Sequence, residues 1–253
     1  MMKLIKPSRV QWTDFAINLY RGCSHGCRYQ PVGTQKGCYA FGMAYRFGRC
    51  PSYEEWLLPR PVCSSTEVQE LLVAELPKIP AGKRIWLSSM SDPYQPLEAS
   101  AQMTRAALEV LLPSDKHIIV LTKSDLVTRD IDLFKGRENV EVGVTLTFLE
   151  TSQCGALEPY SATPLDRIEA LQYLAMEGVP TFISIEPWLP LITRPVEIMK
   201  RVGWFIKRVI LGKLNHVSMP STFYAEELPA VVAWCQAEGI ELLVKKELAE
   251  VIL

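Results

Sequence analysis

The sequence has no uninterrupted apolar run approaching the ~18–20 residues that a membrane-spanning helix requires. Its opening stretch, MMKLIKPSRVQW, lacks the apolar core of a secretory signal. It also lacks a dominant charge: 27 Lys and Arg against 28 Asp and Glu leave a formal net charge of −1, so no overall basic field advertises nucleic-acid binding. No linker or low-complexity tract divides the chain. These absences lead to the expectation of one cytoplasmic domain over residues 1–253 with no membrane partner. With 253 residues, 48% of them hydrophobic and 22% charged, the chain has the size and composition of a barrel-type α/β domain. Its seven cysteines are an odd number, unlike a disulfide framework, and in a reducing compartment closely spaced cysteines more often serve metal or redox chemistry.

Past Gly82 the chain alternates short β-branched runs with longer segments of helical spacing. The runs RIWLSSM (84–90), HIIVLTKS (117–124), VEVGVTLTF (140–148), TFISIEP (181–187), RVILGKL (208–214) and IELLVKK (240–246) read as buried strands, and DFAINLY (14–20) as a first strand upstream. STEVQELLVAEL, QMTRAALEVLL, PLDRIEALQYLAMEG and FYAEELPAVVAWCQAEG read as helices. Ser65 or Thr66 is expected to cap the first of these and Thr163 the third, with Pro164 in that helix's first turn and Gly178 closing it. Repeated strand–helix units with short connections imply a parallel sheet with right-handed crossovers. The expected fold is therefore α/β, a partial (β/α)6-type TIM barrel, with a C-terminal strand–helix extension from about 216 to 253. In such barrels functional groups collect where strands end. Here the ends read RGC, SSMSDPYQP, LTKS, TLTF, IEPWLP and GKLNH, and on a barrel they converge on one mouth.

The stretch CSHGCRYQPVGTQKGCYA (23–40) follows the first strand and carries Cys23, Cys27 and Cys38. Three thiolates on a cube of four irons would leave one iron open, and an open position separates a catalytic metal centre from a structural one. The alternatives are a zinc site, or buried cysteines acting as small hydrophobes. NLYRGCSHGCRY and then CYA resemble the radical S-adenosylmethionine superfamily, close to its spore photoproduct lyase-like branch. Members of that branch carry C-x3-C-x2-C, typically as GCxHGCxYCYA. The segments SDPYQPLE, LTKSDLVTRDIDLF and LEPYSATPLDRIEAL resemble the same branch in the same order, over roughly residues 15 to 215. The chain departs from the pattern at Gln30, where the third cysteine would fall. Removing Gln30–Gly37 restores the family string, so the loop is read as carrying an eight-residue insertion with Cys38 kept as third ligand. Lengthening the loop this way costs only about 1 kcal/mol of closure entropy. Ten residues can extend ~33–36 Å, and Pro31, Gly33 and Gly37 suit a chain that leaves and returns.

The resemblance implies a 4Fe-4S cluster on Cys23, Cys27 and Cys38, with S-adenosyl-L-methionine chelated to the open iron. Reductive cleavage would give a 5′-deoxyadenosyl radical that abstracts hydrogen from substrate, with an electron donor such as flavodoxin or ferredoxin. Charge then suggests roles at the strand ends. Ser91 and Asp92 offer acceptors to an ammonium, and Lys123 offers a cation to a carboxylate. Thr145 and Thr147 share one face of their strand and can bond ribose or methionine. Tyr29 resembles the aromatic position that packs near adenine. His25 reads as a loop-stabilising residue, and Cys154 and Cys235 as packing. Cys50 and Cys63 are a less favoured alternative metal pair. Glu158 and Glu186 either orient substrate or pair with an arginine such as Arg167 or Arg194.

Three functions stay open on the sequence. One is a radical enzyme acting on an unidentified small molecule, nucleotide or peptide. Another is a DNA or nucleotide photoproduct lyase. The lyase uses a cysteine hydrogen donor just ahead of the Ser-Asp pair, whereas Ser89 stands near that place here and its O–H bond is too strong for the task. Arg46, Arg49 and Arg60 could form a local basic face for such a substrate. The third is a non-enzymatic metal-binding barrel.

Overall fold

Each strand is an apolar run whose alternate side chains face opposite sides, so the sheet must be covered on both faces. The computed structural model describes residues 2–29, 37–214 and 221–252. Among these, the strands are β1 (Ile5–Pro7), β2 (Phe15–Ile17), β3 (Tyr20–Arg21), β4 (Arg60–Pro61), β5 (Arg84–Leu87), β6 (His117–Thr122), β7 (Val140–Thr145), β8 (Thr181–Trp188), β9 (Arg208–Lys213) and β10 (Glu241–Val244). The main sheet runs β1-β2-β5-β6-β7-β8-β9-β10, with every neighbouring pair parallel except β1 and β2. It starts at one edge and ends at another, so the barrel is partial and open, as expected. All seven expected strands form. The first is shorter than the DFAINLY run: after Ile17 the chain leaves the sheet, and Tyr20–Arg21 pairs instead with Arg60–Pro61 in a separate antiparallel ribbon. β10, from the C-terminal extension, adds a seventh parallel strand beside β9.

The outer faces of the strands pack under helices in two clusters. One gathers Ile85, Leu87, Ile118, Val120, Val140 and Val142 against the helices Ser65–Glu75 and Met103–Leu111. The other gathers Val144, Ile183, Ile185, Val209 and Leu211 against the helices Pro164–Met176, Pro195–Val202 and Ser221–Glu238. Thr163 caps the helix Pro164–Met176 in a reciprocal box with Asp166. The helix Ser65–Glu75 is capped by Ser64, one residue earlier than expected, because Ser64 is the residue with Glu67 three positions on to return the bond. No helix among the described residues is long and apolar enough to cross a membrane.

The inner face is filled by Trp86, Ile119, Phe182 and Ile210 around Trp12, whose ring centroid lies 4.5 Å from that of Trp86 and 6.4 Å from that of Phe182. Trp12 thus touches strands β5 and β8, which stand three places apart in the sheet, and the sheet curls around it. Phe182 finds room only because residue 143 on the neighbouring strand is glycine: a Cβ there would lie 2.5 Å from the Phe182 ring. Gly143→Ala is therefore expected to cost about 1–3 kcal/mol by overpacking, read as a lower urea midpoint at unchanged slope.

Candidate active site: three thiols at the barrel mouth

The cysteine loop is clamped between two of the later motifs. On one side, the Ser24 amide donates to Gln95 Oε1 at 3.0 Å, and His25 Nε2 lies 3.1 Å from Asp92 Oδ2. On the other, the Arg28 amide donates to the Leu157 carbonyl at 2.8 Å and the Tyr160 amide to the His25 carbonyl at 3.2 Å. Tyr29 Oη donates to Glu158. Gly22 and Gly26 permit this clamp. Both have φ above +60°, and a Cβ would stand 2.5 Å from the Trp56 carbonyl at the first and 2.8 Å from the Tyr160 ring at the second. SDPYQP and LEPYS thus grip the loop, and His25 holds it from inside.

Cys38 returns to the same place. The Tyr29 amide donates to the Gly37 carbonyl at 3.2 Å, which pins together the two ends of the 30–37 segment. Gly37 packs so closely on the loop that a Cβ would lie 2.9 Å from Arg28 Cα and 3.0 Å from the Cys27 carbonyl oxygen. The rest of that segment, including Gln30, Pro31 and Gly33, lies outside the described residues. Cys38 then opens the helix Tyr39–Arg46. All three thiols are unbridged, and Cys23 and Cys38 pack on the cluster of Phe41, Cys50 and Trp56.

Burial raises all three thiols above their ordinary range, Cys27 to about 12. Negative neighbours add to this, Asp92 and then Cys27 and Cys38 acting on Cys23. A bare trio therefore keeps its protons, and only a bound cationic centre would make them thiolates. Among the described residues no group of three His, Cys, Asp or Glu is set to hold a single metal ion. Iron–sulfur clusters take cysteine thiolates as their protein ligands, and three neighbouring thiols are a donor set of that chemistry.

The strand ends meet beside these thiols. Asp92 is buried, and each oxygen has two partners: Oδ1 accepts from the Tyr94 amide at 2.8 Å and Thr122 Oγ1 at 2.6 Å, while Oδ2 faces His25 and accepts the Lys123 amide at 2.8 Å. Burial opposes its ionisation, but His25, Thr122 and Tyr94 hold the carboxyl down at about 2. Its partners are thus all within the protein, and beside it Ser91 Oγ is buried without a partner among the described residues. Lys123 Nζ lies 3.8 Å from Glu158 Oε1 and 5.8 Å from the Tyr29 ring centroid. Glu158 pairs with Arg167 at 2.5 Å, both fully buried. Glu186 pairs with Lys245 from the end of β10, not with Arg194. Thr145 and Thr147 alternate with Val144 and Leu146, which pack outward, so both threonines face in; among the described residues Thr147 Oγ1 has no partner.

Sequence reasoning missed two groups here. Ser184 sits level with Thr145 on β8 with a buried hydroxyl that has no partner among the described residues, and its signal was a lone serine at an inward position of TFISIEP. Tyr39 donates its hydroxyl to the Ser89 carbonyl. Its ring is half exposed, but desolvation at the hydroxyl, then Glu186 and the three thiols, raise its ionisation. Its signal was its place directly after Cys38. The sixth strand's Asn215 and His216 lie outside the described residues.

No family model matches the chain. An uncharacterized protein of Methanocaldococcus jannaschii is 33% identical over 192 residues, 74% of this chain and 65% of that one. An uncharacterized protein of Acidianus two-tailed virus is 27% identical over 199 residues, 74% and 64% of the two chains. The chain thus spans just under two thirds of the length of these relatives. Among solved structures, spore photoproduct lyase complexed with dinucleoside spore photoproduct superposes with a TM-score of 0.67 at 13% identity, covering 95% of this chain and 78% of that one. Streptococcus suis SuiB bound to S-adenosylmethionine superposes with a TM-score of 0.59 at 10% identity, covering 90% and 49%. The resemblance carried by the cysteine loop and the three later motifs thus holds at the level of the fold, and the chain has the fold of spore photoproduct lyase.

Proposed function

We propose that the chain is a radical S-adenosylmethionine enzyme holding a 4Fe-4S cluster on Cys23, Cys27 and Cys38. The observation that carries this reading is the pairing of Tyr29 with Gly37, which brings Cys38 back to Cys27 despite the insertion. When bound, the cluster would supply one electron to S-adenosylmethionine and so generate the hydrogen-abstracting 5′-deoxyadenosyl radical. The chain's own residues bind and orient. Ser91 Oγ accepts from the cofactor's ammonium, and Lys123, shared with Glu158, attracts its carboxylate. Thr147 and Ser184 lend their unpartnered hydroxyls to the ribose or methionine, with Thr145 beside them, and Tyr29 packs near adenine. The Trp12–Phe182 layer beneath keeps water from entering through the barrel.

The substrate belongs to a class that can enter the open mouth, a small molecule, nucleotide or peptide. Two solved structures of similar fold span that range, since one is complexed with a dinucleoside photoproduct and the other, SuiB, with a precursor peptide. Lesion repair by a thiol hydrogen donor is the weaker reading, because Ser89 occupies the expected place and lies 3.4 Å from the Asn18 side chain. Anaerobic reconstitution is expected to give a brown protein with about four irons per chain that forms 5′-deoxyadenosine under reduction. A colourless protein that takes up zinc instead would overturn the proposal.

A further inference from the structure

The reading above requires an electron from outside, and one face of the molecule is built differently from the rest. A cavity of about 450 Å³ opens beside the edge strand β1, lined by Lys3, Lys6, Arg21, Arg49 and Arg60 with one carboxylate, Glu55. All five cations are exposed, and among the described residues none of them forms an ion pair. Two are held together against their own repulsion: Arg21 and Arg60 stand directly opposite each other in the β3–β4 ribbon. Like charges in that position are destabilising, and nothing in the ribbon offsets them. In a chain of net charge −1 this concentration of unpaired positive charge is local, and it suits an acidic partner.

The position of the cavity says what the partner does. Ala44, Cys50, Trp56 and Met90 line it, and the same four residues pack with Cys23 and Cys38 on their other side. The Trp56 carbonyl accepts the Cys23 amide at 2.9 Å, and Gly22, the residue before Cys23, is part of the wall. None of Ser91, Lys123, Thr145, Thr147, Ser184 or Glu186 lines this cavity, so a ligand here is beside the thiols but outside the mouth.

We infer that this face docks a small acidic flavoprotein of the flavodoxin class, which delivers the electron through the wall shared with the cysteine loop. The inference rests on the proposed function. A flavin exposes an apolar ring edge at the surface of its protein, and the cavity's apolar lining, Leu4, Trp56, Leu58, Val62 and Met90, receives such an edge while the cations meet acidic side chains around it. One electron leaves the reduced flavin, the centre held by Cys23, Cys27 and Cys38 gains it, and no atom or proton crosses.

The test titrates flavodoxin against the full chain, with and without the reconstituted centre, and reads Kd directly. In the double variant Arg49→Glu/Arg60→Glu, Kd is expected to rise about tenfold or more, as it should for the parent between about 0.05 M and about 0.5 M salt. Flavodoxin-driven reduction should slow in proportion, while dithionite reduces variant and parent alike. Lys3→Glu/Lys6→Glu provides a second charge reversal should the first fail to fold. An unchanged Kd in folded variants overturns the docking site. So does ferredoxin or an oligonucleotide binding there with the same salt and residue dependence where flavodoxin does not. A chain that never takes up iron overturns the proposed function instead, and titration of the iron-free chain still reads the face.

Discussion

Cys38→Ala is expected to leave a folded protein that takes up little iron and forms no detectable 5′-deoxyadenosine. Cys50→Ala and Cys63→Ala should keep both properties. The difference follows from where the sulfurs are. Gly37 lies against the backbone of Cys27 and Arg28, so the thiol after it joins Cys23 and Cys27; Cys23 senses the charge of both other thiols, and Cys27 that of Cys38. Cys50 instead turns its Sγ to the Ser52 carbonyl at 3.3 Å, and Cys63 packs against the core beneath the helix Ser65–Glu75. A cube left with two thiolates loses one of its three protein attachments, and the free energy of holding it falls with each lost iron–sulfur bond. Iron and sulfide analysis with ultraviolet–visible spectra checks this. If Cys38→Ala remains brown and active while Cys63→Ala does not, the ligand assignment is wrong.

Arg167→Ala should produce the largest loss of stability. Arg167 is fully buried; it reaches Glu158 at 2.5 Å and donates to the carbonyls of Thr145 and Ala162, each at 2.9 Å. Removing it leaves a buried carboxylate without its nearest cation, with Lys123 at 3.8 Å as the remaining one, a change that costs about 3–5 kcal/mol. For a chain of this size that lowers Tm by about 10 °C. Because Glu158 also receives Tyr29 and faces Lys123, the loss should spread to the cysteine loop and weaken cofactor binding. Replacing the pair together, Arg167→Met with Glu158→Gln, removes the stranded charge and should recover part of the lost stability. Thermal melts of the iron-free chain keep this effect separate from metal uptake. A fall of less than about 2 °C for Arg167→Ala would mean that water reaches Glu158 and the pair is not the anchor described.

Much of this site was legible in advance, for physical reasons that differ from residue to residue. The threonines of VTLTF had to share a face because a strand alternates. Thr163 had to cap because Asp166 follows it at the spacing of a capping box. Asp92 shows where local reasoning stopped. A carboxylate at a strand end reads as a ligand for an ammonium, yet Thr122, Tyr94, Lys123 and His25 surround it, and three of those four groups come from other parts of the fold. Glu186 could be seen to need a cation, but its partner, Lys245, lies 59 residues away on the last strand.

The sequence by itself determined the order of strands and helices and the parallel sheet, because period and capping act within a few residues; the three thiols it offered only through a resemblance. Only the tertiary structure decided that the SDPYQP and LEPYS segments clamp the cysteine loop, that Ser184 and Tyr39 join the mouth, and that unpaired arginines gather behind it. Those contacts join parts of the chain that are remote in sequence, and they exist only once the sheet has curled around Trp12 and brought its strand ends together.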